Sequence, residues 1–86
     1  MAVDDENQQR VGANIKAARE ALGWSQETAA AKAGMHPTAL SMIETGARAP
    51  KLDTMIRLAF ALDTDAGRFL AGVERPEGPR PRHGAQ

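Results

Sequence analysis

The stretch from Ser25 to Gly46, SQETAAAKAGMHPTALSMIETG, reads as two short helices joined by a tight turn. Ser25 is a good N-cap, because its hydroxyl can accept from one of the first free backbone N–H groups. Gln26 to Ala33 then runs through strong helix formers. Gly34 stands where such a helix stops, supplying a positive φ that a Cβ would resist. His36 is placed to cap the next helix, and Pro37 falls at its first position, where a missing N–H costs nothing. Leu40 and Ile43 recur three apart, and Thr45-Gly46 closes the element.

Outward from this pair the chain stays helical. Val11, Ile15, Ala18 and Leu22 form a single apolar stripe that ends at Gly23, with Asp4 or Asp5 as caps. After the loop Ala47-Arg48-Ala49-Pro50, a fourth helix over about 52–62 sets Leu52, Met55, Ile56, Ala59 and Leu62 on one face. Asp63-Thr64-Asp65 breaks the pattern and caps a short fifth helix carrying Phe69 and Leu70. No β-alternating run competes. The expected architecture is all-α: a compact five-helix domain over residues 10–73, a flexible acidic N-terminus over 1–9 and a disordered Pro/Arg tail over 74–86.

Eighty-six residues make one small domain whose core is marginal without help from helix packing or dimerisation. There are no cysteines, so disulfides and thiolate metal sites are excluded. No apolar run approaches the ~20 residues of a membrane span, and the acidic start is unlike a signal peptide, so a soluble cytoplasmic protein is expected. The formal charge is zero, but residues 10–51 carry six bases against three acids. The positive excess sits on the helix-turn-helix half, and it predicts moderate, strongly salt-dependent binding to an anionic partner.

Residues 11–73 resemble the phage-repressor and Cro type of helix-turn-helix domain, also called the xenobiotic-response-element type. The resemblance rests on Gly23-Trp24-Ser25-Gln26, Ala30 with Gly34, Ile43-Glu44-Thr45-Gly46, Pro50 and the Leu58-Ala59…Leu62 run, all in order and at matching spacing. It implies a sequence-specific transcriptional regulator, usually a repressor, that binds a palindromic operator as a homodimer with helix 37–45 in the major groove. Double-stranded DNA is the implied partner, with room for a regulatory partner protein and no cofactor. The resemblance also assigns positions. His36, Pro37, Thr38, Ser41 and Met42 face the bases. Ser25, Gln26, Thr45 and Arg48 face phosphates, where a helix N-terminus and cationic side chains can hold an anion, and Lys51, standing where the family often has a small capping residue, adds a further candidate phosphate contact. Arg19 and Glu44 match an ion pair between the first and third helices, and Ala30 and Gly34 are small where the second and third helices cross.

None of the base-facing residues is Arg, Lys, Asn or Gln, so the bidentate pairings worth ~1–3 kcal/mol each are missing. Thr38 and Met42 are left to meet thymine methyls, with single hydrogen bonds from Thr38 or Ser41, and DNA shape and water supply further selectivity. Two alternatives stay open: an antitoxin-like or adaptor module whose ligand is a polypeptide, and a restriction-modification controller protein. Nothing enzymatic is visible, since no nucleophile–base pair or phosphate-cradling glycine loop occurs. His36 and His83 have no accompanying ligand cluster, so no metal is expected. Phe60 lies off the expected core face, and with Ala66, Phe69 and Leu70 it forms a candidate dimer contact.

Overall fold

The computed structural model describes residues 3–74. Helix α1 is Val3–Ala21, α2 Gln26–Ala33, α3 Pro37–Thr45 and α4 Leu52–Ala61, followed by a 3-10 helix at Ala66–Leu70. The described residues are therefore all helical, with four α-helices. The expected fifth helix is a five-residue 3-10 turn, and Asp65 enters it without a side-chain cap bond. α1 packs on α3 and on the 3-10 helix, while α2 packs on α3 and α4. Phe69, Ile15, Leu40 and Leu58 are the largest fully buried side chains, so every element except α2 contributes one of them. α2 contributes Ala29, Ala30 and Ala33 instead, and their small size lets its backbone approach its neighbours.

Several expectations change on contact with tertiary structure. α1 already begins at Val3, so residues 3–9 of the acidic N-terminus are helical, and Asp4 and Asp5 lie inside the helix and not at its cap position. Contacts made about one turn later tie this part of α1 to the rest of the fold. Gln8 Nε2 donates to the Gly46 carbonyl at 2.9 Å, and Asn7 bonds Glu74. Leu22 falls beyond the end of α1, in the turn closed by its N–H to the Arg19 carbonyl, and is exposed rather than in the stripe. The tail expected over 74–86 lies, apart from Glu74, outside the described residues.

The fourth helix is turned relative to its expected face. Leu58, Ala59 and Leu62 are buried and Met55 is partly so, whereas Leu52 and Ile56 are exposed. Apolar side chains cover more than half of the surface of α4, with Asp53, Thr54 and Arg57 on the remaining arc, so periodicity alone does not fix which part of that broad face the core takes. The outcome leaves Leu52, Ile56 and Phe60, at i, i+4 and i+8, as an exposed apolar stripe. Phe69 leaves the candidate dimer contact, because it is fully buried in the core. In a 3-10 helix residues three apart share a side, so Phe69 points inward with half-buried Ala66 while Leu70 points out.

Glycine serves two different purposes in this packing. Gly34 and Gly46 end α2 and α3 with φ of +68° and +85°. A Cβ on Gly34 would meet only the Arg57 guanidinium tip, at 3.9 Å, so its role is backbone conformation and not the close helix crossing expected of it. The close crossing is made by Gly12 on α1. A Cβ there would overlap the Ile43 carbonyl oxygen and stand 2.8 Å from that of Glu44.

Candidate nucleic-acid interface

The helix pair begins with Ser25, whose Oγ accepts from the Thr28 N–H at 3.1 Å and donates to Thr28 Oγ1. That hydroxyl is thus engaged in starting α2. His36 occupies the N-cap position of α3 by backbone conformation only; its side chain makes no cap bond. This corrects the capping role expected for it and leaves the imidazole exposed. Pro37 supplies the first residue of α3.

Pro37, Thr38, Ser41 and Met42 recur at i, i+1, i+4 and i+5 and so share one face of α3, opposite buried Leu40, Ile43 and Glu44. Thr38 is exposed and the other three are half-buried. Thr45 closes the helix with its Oγ1 donating to the Met42 carbonyl at 3.2 Å, which leaves the hydroxyl oxygen as an acceptor. Arg48 and Lys51 are exposed in the following loop, and neither forms an ion pair within the described residues.

Behind this face sits a buried polar network. Arg19 Nε and Nη2 donate to the two Glu44 carboxylate oxygens at 2.7 and 2.9 Å, and Nη1 donates to the Trp24 carbonyl at 2.7 Å. The bidentate geometry matches the planar guanidinium fork. The bond to Glu44 raises the Arg19 pKa above its already high value, so the guanidinium stays charged. Gln26 Nε2 completes the network by donating to Glu44 Oε1 at 2.9 Å. Glu44 only accepts, so the amide must present its NH2 end there. One N–H remains to Gln26 for an anion outside, together with the free backbone amides at the start of α2. Arg19, Glu44 and Gln26 together therefore tie α1, the α1–α2 turn and the start of α2 to α3.

Sequence reasoning did not anticipate the Gln26–Glu44 bond, because those residues lie on different elements. It also missed Lys32, whose Nζ stands 5.2 Å above the Trp24 ring and closes the α1–α2 turn from outside. Arg57 Nη1 reaches the Gly34 carbonyl at 3.4 Å, linking α4 to the end of α2.

A short α2, a tight turn and a second helix that presents one face outward define a helix-turn-helix. The helix-turn-helix family model matches residues 15–69. The chain belongs to that family, in its phage-repressor and Cro type, and is a DNA-binding transcriptional regulator. Among solved structures it is similar to the restriction-modification controller protein C.AhdI from Aeromonas hydrophila, with 30% identity and a TM-score of 0.73. That likeness covers 74% of this chain and 97% of the other. No curated protein matches.

Proposed function

We propose that the protein is a homodimeric regulator that occupies a two-fold operator, each protomer laying α3 in the major groove of one half-site. The observation that carries this reading is the Arg19–Glu44–Gln26 network, which holds the outward face of α3 in fixed register with the start of α2. Gln26, Thr45, Arg48 and Lys51 then flank that face as phosphate contacts, with Ser25 at the helix start beside them. His36, Pro37, Thr38, Ser41 and Met42 meet base edges. Half-sites would lie about one helical turn, roughly 10 bp, apart. Occupying promoter DNA would repress transcription, and the regulator would act in the cytoplasm.

The likeness to a restriction-modification controller favours one narrower version, in which the regulated genes encode such a system and the regulator activates as well as represses. Either version is tested by selecting bound duplexes from a random pool. Thr38→Ala or Met42→Ala should then change base preference at one or two positions, each by less than the roughly 1–3 kcal/mol of a bidentate pair. Unchanged preference would move selectivity to DNA shape, and no enrichment at all would favour a protein-interaction module.

The dimer contact in this proposal uses the α4 stripe. Phe60 is 85% exposed and lines a cleft with Ile56, Ala59 and Ala66, which Asp63, Asp65 and Arg68 also line. A large exposed aromatic aligned with Leu52 and Ile56 is the kind of surface that a two-fold copy covers. Phe60→Glu is expected to halve the mass seen by sedimentation equilibrium and leave the helical content intact. An unchanged mass would remove this face from the interface.

A further inference from the structure

One stripe of α1 runs against the C-terminal half of α3. Gln8, Gly12, Ile15 and Arg19 recur at intervals of four, three and four, which places them on a single helical face. Arg19 holds Glu44, and Gly12 admits the backbone of Ile43 and Glu44. Gln8 is the N-terminal member of the stripe, half-buried, and its Nε2 donates to the Gly46 carbonyl at 2.9 Å. That oxygen only accepts, so the amide presents its NH2 end there. Gln9 crowds the same junction: a Cβ on Gly46 would stand 2.5 Å from its Cγ.

The peptide joining Gly46 to Ala47 is thereby held on both sides. Its carbonyl takes the Gln8 bond, and its N–H donates to the Met42 carbonyl at 2.9 Å. The following N–H, that of Arg48, reaches the same carbonyl at 3.2 Å. A peptide is planar and rigid, so holding both its polar ends fixes the direction in which the chain leaves. Here it leaves α3 for Arg48 and, three residues on, Lys51. The bonds to Met42 are internal to the end of α3 and tie it to nothing else. Among the described residues, Gln8 makes the one side-chain hydrogen bond that reaches residues 46–51 from another element. Ala49 and Pro50 also line a small notch with Gln8, Val11 and Met55, so the loop rests on this part of α1.

We propose that Gln8 is a positioning residue for DNA binding: through the Gly46 carbonyl it aims the loop whose cations, Arg48 and Lys51, take phosphates. The proposal rests on the reading that this loop grips the DNA backbone. The test is a double-variant cycle on the duplex selected from the random pool, across a salt series. Gln8→Met keeps the length of the side chain and removes the donor. The loop variant carries Arg48→Gln with Lys51→Gln and should flatten the slope of log K against log salt by about 2 per protomer. Gln8→Met alone should weaken binding about three- to tenfold, the range that one hydrogen bond supports, and flatten the slope by part of that amount. Added to the loop variant it should weaken binding by less than about twofold, because the groups it aims are gone. In the free protein, amide exchange should quicken at Ala47 and Arg48 while Leu40 and Ile43 keep the parent's protection. Exchange at Ala47 and Arg48 equal to the parent's overturns the positioning role whatever the DNA result. So does a Gln8→Met loss of equal size in both backgrounds, or no loss in either. A loop variant that binds with the parent's affinity and slope instead removes the underlying reading, and the role of Gln8 falls with it.

Discussion

Glu44→Ala is expected to cost about 3–5 kcal/mol of folding stability, read as a lowered urea midpoint. Both Glu44 and Arg19 are buried, at 6% and 8% exposure, so the substitution strands a guanidinium with nowhere to go but the core. It also removes the acceptor that holds Gln26. Against a typical total of roughly 5–15 kcal/mol, that is a large share of the margin. Replacing both partners by apolar residues, Arg19→Met with Glu44→Leu, should recover much of the loss, since no unpaired charge remains. Such a double variant should nevertheless bind DNA more weakly than the parent, because the register of α3 against α2 is lost. A double variant no more stable than Glu44→Ala would contradict this account of the pair. The pH dependence follows from the raised Arg19 pKa. A basic group whose folded-state pKa is raised contributes fully below its unfolded value and loses that contribution only above it. For arginine this lies beyond pH ~12, so the Arg19 contribution should not decline between neutral pH and about pH 10.

Gly12→Ala is expected to destabilise by about 3 kcal/mol or more, at or above the upper end of the usual overpacking cost. On an open helix the same change would help by up to ~1 kcal/mol, through helix propensity. Here the added methyl meets the Ile43 carbonyl and the Glu44 backbone, which cannot rotate away as a side-chain tip could. Relief requires α1 and α3 to separate, which disturbs the placement of α3. Gly67→Ala supplies the control, since a Cβ there meets nothing within 4 Å. It should change the thermal midpoint little, and equal losses at the two positions would contradict the packing argument.

The helix pair was legible because its signals are local. Ser25, Gly34, Pro37 and Gly46 each act on backbone within a few residues, and each stands in the structure at an element boundary. The partners Arg19 and Glu44 were legible from the family pattern, while the additional bond from Gln26 was not. Gly12 shows the limit of local reading. Inside a helix it registers as a small cost, and only the approach of α3 reveals what it permits. The face of α4 was illegible for the opposite reason, too many apolar residues rather than too few. Phe69 was misplaced because a 3-10 turn, and not an α-helix, determines which neighbours share its side. Asn7 and Asn14 read as polar surface until the returning chain supplies their backbone partners.

The central claim is that the outward face of α3 lies along duplex DNA between phosphate contacts from the start of α2 and the loop after α3. It is tested most directly by fluorescence anisotropy of a labelled duplex titrated with the full chain at low ionic strength, with circular dichroism recorded on the same sample. The account predicts saturable binding that weakens steeply as salt is added. A fully helical sample with no rise in anisotropy would contradict it.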